Sequence, residues 1–288
     1  MNFGVTMIRP LCICLAGLVV GQAYVPPAEA AQKPLWEFGL GVGALAFSDY
    51  RGADAMDVYP LPLPYFVYRG TFLRADRDGM RGRFLKSDLA ELNISVNGTT
   101  PVRSHASGAR VGMPDLKPTL EVGPSLELHL WRSIDRRVAL DLRLPARVAL
   151  TIESSPRAIG VLFEPRLNLD VRDVGGLRGW TLGLLAGPLF ADRRYHQYFY
   201  GVPTQFALPA RPAYDAHGGY AGTQAIASLS KRYPRYWVGT FLRHDTLSGA
   251  VFTPSPLVRT NRYWAAGIGI AWMIGESTQH VETPDDGL

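Results

Sequence analysis

The sequence predicts an all-β fold, an antiparallel transmembrane β-barrel, on three observations. Apolar and polar residues alternate at period two over runs too long for the strands of a soluble domain; aromatic residues collect at the ends of those runs; and short turns alternate with long connections. The stretch Val138 to Ile152, VALDLRLPARVALTI, shows the alternation most plainly. Val138, Leu140, Leu142, Leu144, Ala146, Val148, Leu150 and Ile152 share one face of an extended chain, and Asp141, Arg143, Arg147 and Thr151 share the other. At about 3.3 Å per residue this strand is roughly 50 Å long, against about 17–20 Å for an ordinary one. Tilted by about 40° it still crosses the hydrocarbon of a bilayer. Its apolar face then meets lipid, and its charged face needs a lumen.

In chain order, the first segment is a secretory signal peptide, residues 1–30. Arg9 precedes an apolar core from Leu11 to Val20, and Ala28-Glu29-Ala30 forms the cleavage site. Both cysteines, Cys12 and Cys14, fall in this segment, so the exported chain has neither disulfide nor thiolate metal site. Cleavage removes one base and one acid and leaves the net charge at +5. All but four of the 30 basic residues are arginine, whose planar fork suits the phosphates of outer-membrane lipids and lipopolysaccharide. These charges are dispersed and no aromatic-rich motif accompanies them, which excludes a nucleic-acid partner.

The barrel is expected over residues 31–274. Its first strand is WEFGLGVGALA, with Trp36, Phe38, Leu40 and Val42 on one face and Glu37, Gly39, Gly41 and Gly43 on the other. Pro60, Pro62 and Pro64 make the second strand irregular. A tight hairpin is expected at Asp78-Gly79 and a short turn near Ser87-Asp88. Further alternating runs cover Ala90 to Val96, Leu120 to Leu130, Val161 to Val171, Trp180 to Phe190 and Trp264 to Ile274. Pro124, Pro145, Pro165 and Pro188 lie inside these runs and read as bulges. A soluble β-sandwich alternates too, with its apolar face inward, but strand length and the aromatic ends favour the membrane barrel. Long connections near residues 47–58, 98–117, 192–218 and 248–261, set against short ones near 69–70, 133–135, 173–176 and 233–234, fit twelve strands, with ten as the alternative count. In this arrangement Trp36, Tyr68, Trp131, Trp180, Trp237 and Trp272 form an aromatic rim at the periplasmic side. An acidic tail, residues 275–288, follows the last strand.

The expected inner faces carry Glu121, Glu127, Asp141, Arg143, Arg147, Glu164, Arg166, Asp170 and Arg172. Opposite charges on neighbouring strands pair and fill a narrow lumen. Pairing residues whose numbers sum to about 313 sets Arg147 against Arg166 and Arg143 against Asp170. The same charges also suit a narrow channel for small solutes, the rival reading. No catalytic, cofactor or metal site is expected. Six scattered histidines give no ligand spacing, and His129 beside Glu127 reads as a polar lumen pair. His244, with Asp245 and Ser248 in RHDTLSGA, is the nearest approach to a lipid hydrolase's His and Ser, but the spacing does not make them neighbours on one face.

Over nearly all of its exported length the chain resembles the MltA-interacting protein/OmpV family of outer-membrane proteins. The carriers are WEFGLGVGALAFSDYRGAD, YPLPLPYFVYRG, LEVGPSLEL, YFYGV from Tyr198 to Val202, AYDAHGGY from Ala213 to Tyr220, and SPLV from Ser255 to Val258, in that order. The resemblance implies an outer-membrane barrel without catalysis, acting as a scaffold for peptidoglycan-synthesising and lytic enzymes, with a murein transglycosylase and a penicillin-binding protein as partners. The tail departs from that pattern, because outer-membrane barrels commonly end on an aromatic residue used in assembly.

Overall fold

The computed structural model describes residues 32–69, 73–76, 79–87, 89–104 and 108–282; the segment expected as a signal peptide, Asp78 and Asp88 of the two expected turns, and the end of the tail lie outside them. The barrel wall is a thirteen-stranded antiparallel sheet. Its strands are β2 (Trp36–Ser48), β3 (Met56–Arg69), β4 (Leu73–Asp76), β5 (Gly79–Lys86), β6 (Ala90–Thr99), β7 (Thr119–Arg132), β8 (Val138–Thr151), β9 (Ala158–Phe163), β10 (Arg166–Arg172), β11 (Trp180–Ala191), β12 (Gly219–Arg232), β13 (Tyr236–Thr246) and β14 (Arg262–Glu276). Each pairs with the next except β9 and β10, which lie end to end between β8 and β11, and β14 pairs with β2, so the sheet closes on itself. Outside the wall, β1 (Gln32–Pro34) and β15 (His280–Glu282) make a small ribbon next to the short turns. Among the described residues no helix is long and apolar enough to cross a membrane.

The faces run opposite to those of a soluble barrel. Val42 and Ile268 are 61% and 64% exposed, whereas Glu121 and Asp245 are fully buried. Leucines therefore cover the outside, and charged side chains are enclosed. In β8 the two faces separate as the alternation predicts, with Asp141, Arg143, Arg147 and Thr151 all buried.

Register departs from expectation. Arg143 faces Arg166, Arg147 faces Leu162, and Asp170 faces Ala139, because the β8–β9 connection closes earlier than predicted. The Arg157 N–H donates to Thr151 Oγ1 at 2.9 Å and the Thr151 N–H to the Arg157 carbonyl at 3.0 Å, so the hairpin is complete by Arg157. After a register shift between Leu150 and Ala149, every further pair sums to 309, four below the expected 313. The hairpin expected at Asp78-Gly79 likewise closes one residue early, on the Asp76–Gly79 pair.

The prolines divide into two kinds. Pro188 marks a register shift in β11, and Pro165 sits at the break between β9 and β10. Pro124 and Pro145, expected as bulges, pair in unshifted register. The second strand is also regular, contrary to expectation, with an unbroken ladder to β2 from Trp36–Tyr68 to Ser48–Met56. Pro60, Pro62 and Pro64 share one parity, so the N–H groups they lack all lie on the edge away from β2. Among the described residues that edge is paired only at Tyr68 and Arg69, so the missing donors cost nothing.

Candidate functional site

The candidate site is the enclosed lumen and the plug of loops at its long-loop end. Charges from four strands, from Glu164 in the break between β9 and β10, and from a loop meet inside. Arg147 is ion-paired with Glu164, approaches Glu121 at 3.4 Å, and donates from Nη1 to Ser95 Oγ at 3.0 Å. Arg166 lies 3.7 Å from Glu164, and Arg143 lies 3.4 Å from Glu127. Asn97 Nδ2 donates to Glu121 Oε2 at 2.9 Å. On the other side, Asp245 accepts two bonds from Arg243, at 2.7 and 2.8 Å, and holds Arg51 at 2.7 Å. Arg243 stacks over the Tyr263 ring, 5.1 Å from its centroid, and its charge acts on Glu164 across the lumen. The charges thus alternate from Arg51 through Asp245, Arg243, Glu164 and Arg147 to Glu121.

This arrangement follows from alternation and burial. Each of these charges projects from an inward position, where it escapes the hydrocarbon but loses water, and an enclosed ion survives only with a counter-ion and hydrogen bonds. The nine expected network residues therefore fall into separate groups. Glu121, Arg147, Glu164 and Arg166 form the centre, with Arg143 and Glu127 beside it. Asp141 instead accepts from Arg132 at 2.6 Å and pairs with His129 at 2.9 Å. Asp170 accepts from Asn168 at 2.9 Å, and Arg172 is half-buried near the short turns. Ligand atoms of Glu127, His129 and Asp141 lie within 4.8 Å of one another, but Arg132 and Arg143 already supply the cations there.

The plug is built from four long connections. Helix α1 (Arg193–Tyr200) starts at Asp192, whose side chain accepts from the Tyr195 N–H at 2.8 Å. It nests against β9 at Gly160, where a Cβ would lie 2.2 Å from Asp192 Oδ1 and 2.5 Å from Tyr195 N. Tyr195 reaches into the lumen and donates to Glu121 Oε1 at 3.0 Å. Burial, and then the charge of Glu121, push its phenol well above the usual tyrosine range, so it remains a neutral donor. The Tyr200 hydroxyl donates to the Arg51 carbonyl at 3.0 Å, and the Tyr200 ring stacks on Phe252 at 3.7 Å. Arg110 donates to the Phe199 carbonyl at 3.1 Å, Ser255 to the Tyr200 carbonyl at 2.7 Å, and Tyr50 to the Leu257 carbonyl at 2.7 Å. Arg211 ties the adjacent loops by donating to the Ala109 and Val111 carbonyls.

At the short-turn end, Trp36, Trp131 and Trp272 are exposed on the outer face, and Tyr68 and Trp180 are half-buried. Trp237 departs from the expected rim. It turns inward and is fully buried over Gly239, whose missing side chain leaves room for the indole. His244 faces outward against Trp264, ring centroids 4.3 Å apart, while Asp245 faces inward in its ion pairs. Two pieces of the hydrolase reading, His244 and Asp245, therefore sit on opposite faces of β13, and the third, Ser248, lies beyond the end of that strand.

The MipA family model, described as MltA-interacting protein MipA, matches residues 40–274. The chain belongs to this family. Its curated relatives include outer membrane protein Omp26La of Vibrio anguillarum, 25% identical over 213 residues, covering 72% of this chain and 76% of the relative. Outer membrane protein OmpV of Vibrio cholerae serotype O1 is 24% identical over the same shares. Among solved structures, a bacterial polysaccharide outer membrane secretin aligns with 83% of this chain and 99% of its own, at 8% identity and TM-score 0.42. Outer membrane phospholipase A from Escherichia coli aligns with 81% of this chain and 92% of its own, at 12% identity and TM-score 0.33. As a member of the MipA family with outer membrane relatives, this chain is an antiparallel β-barrel of the outer membrane.

Several residues that build the site carry no signal in the alternation. Arg51 and Tyr195 come from connections between strands, Tyr195 from helix α1, and reach the lumen only through the tertiary fold. Arg243 and Asp245 were legible in principle, since they alternate with Leu242 and His244.

Proposed function

We propose that this protein is a closed, non-catalytic outer-membrane barrel that holds a murein transglycosylase, together with a penicillin-binding protein, at the inner surface of the outer membrane. The observation that carries the reading is the family match, whose description names an interaction with MltA. The filled lumen supports it, because a barrel closed by ion pairs and a four-loop plug offers its turns rather than its interior. In this reading residues 1–30 are the export signal, the short turns face the periplasm, and the β1–β15 ribbon with the acidic tail of residues 275–288 adds to the docking face.

The test is capture of a purified MltA-type transglycosylase by the purified barrel in detergent, paired with conductance in planar bilayers. Saturable capture and little conductance are expected. Absence of capture, with a large stable conductance that Arg143→Ala combined with Arg147→Ala leaves unchanged, would replace the scaffold by the narrow channel.

A further inference from the structure

The outer wall over β10 to β14 carries a trench rather than a convex surface. Two rows of outward side chains lie in register across these strands. One runs Leu167, Ala186, Ala225, His244, Trp264, and the next runs Leu169, Leu184, Ala227, Leu242. The three alanines form a floor, and leucines on one side with His244 and Trp264 on the other form banks around about 400 Å³. At about 4.8 Å per strand, five strands give the trench a length of roughly 19 Å, and its two rows, two residues or about 6.6 Å apart along the strands, give it the width of a single hydrocarbon chain. Immediately toward the long loops the next row changes character and reads Pro188, Thr223, Thr246, Arg262. Two hydroxyls and an exposed guanidinium thus sit one step above an apolar floor, with half-buried His244 at the boundary.

The geometry points to a binding site for one acyl chain of a phosphorylated outer-leaflet lipid, the lipid A part of lipopolysaccharide. Hydrocarbon surrounds this wall, and a void without partner atoms loses dispersion contacts outright, so a chain of matching bore is held there in preference to disordered lipid. The polar row lies toward the long loops, which are extracellular in such barrels, and this places Arg262 and His244 at the level of outer-leaflet phosphates. An arginine fork pairs with phosphate through two parallel bonds. The acyl chain and the phosphate are therefore recognised by adjacent rows of the same four strands, β11 to β14.

The test is native mass spectrometry of the full chain in detergent after incubation with purified lipid A or with phosphatidylcholine, scoring lipid retained through a second detergent exchange. Wild type is expected to retain one lipid A and little phosphatidylcholine. Ala225→Leu, which fills the floor, is expected to lower retention about tenfold, and Arg262→Ala several-fold. Ala44→Leu, on the outward face of β2 away from the trench, is expected to match wild type. Should Ala225→Leu fail to fold, as read from heat-modifiable migration, Ala227→Leu fills the same floor. Photo-crosslinking of an acyl-diazirine lipid A to wild type needs no variant, and adducts within residues 219–246 are expected. Equal retention in the filled and control variants, equal binding of phosphatidylcholine, or adducts spread evenly around the wall would each overturn the site.

Discussion

The two sides of the lumen fill the same kind of space by opposite means. Along β13, β14, β2 and β3 the inner face is mostly glycine and large apolar rings, with Trp237, Phe241, Leu45 and Tyr65 packed over Gly239, Gly267 and Gly39. Along β6 to β10 the inner face is carboxylates, guanidiniums and amides, and the filling is a hydrogen-bonded charge network. The sides are coupled where the charges of Arg243 and Glu164 act on each other. An apolar filling tolerates the loss of a group at the cost of a cavity, whereas a charged one leaves an ion stranded. The charged side is therefore the more fragile to deletion, and the glycine side to addition.

The largest effect expected from this contrast is at Arg147. Its removal leaves Glu121 and Glu164 enclosed together without their main cation. Arg147→Ala should destabilise the folded barrel by about 3–5 kcal/mol. Denaturant titration followed by heat-modifiable migration measures it. Loss of less than about 1 kcal/mol, the scale of an exposed pair, would mean that water reaches this network and that the lumen is open.

On the apolar side the corresponding variant adds atoms. A Cβ at Gly267 would lie 2.4 Å from the Phe241 ring and 2.5 Å from Leu45 Cδ2, so Gly267→Val forces both side chains to move. The expected cost is about 1–3 kcal/mol, as for other overpacked cores. The same titration, run beside the Arg147 variant, ranks the two sides. If the valine cost more than the loss of Arg147, the charged side would be the more forgiving one and the contrast would be reversed.

This contrast also explains what could be read in advance. On the charged side the alternation separates two chemically different faces, so the inward positions of Asp141, Arg143 and Arg147 follow from sequence alone. On the apolar side the first half of β13 is hydrophobic on both faces, with Val238 and Leu242 outside and Trp237 and Phe241 inside, so period two carries no information there and Trp237 reads as a rim residue. Register was not legible because it depends on how Thr151 and Arg157 close one hairpin. The plug was not legible because α1 is eight residues long, less than an isolated helix needs, and is held by contacts with three other connections.

The smallest expected effect concerns the plug, where the two sides are capped together. His196 is fully buried, and its Nδ1–H donates to the His217 carbonyl at 2.6 Å. Its Nε2 has no hydrogen-bond partner among the described residues. The ring lies against Phe252 and Tyr200, with the Arg51 cation and the Asp192 carboxylate the charges that act on it. Burial lowers its pKa below the ordinary value, because a second proton would place a cation among aromatic rings. A released plug returns the imidazole to a pKa near 6.5, so at acid pH the open state binds the extra proton more readily. The closed plug is therefore fully stable above about 6.5 and loses stability as pH falls through the lowered value. Limited proteolysis of the connection at residues 192–218 in reconstituted barrels should be several-fold faster at pH 5 than at pH 7.5. In His196→Gln, which retains a donor for the His217 carbonyl but does not titrate, the rates at the two pH values should converge. A pH dependence that survives this substitution would move the proton to another group, and a rate unchanged with pH in wild type would mean that the four connections hold the plug shut whatever the charge on His196.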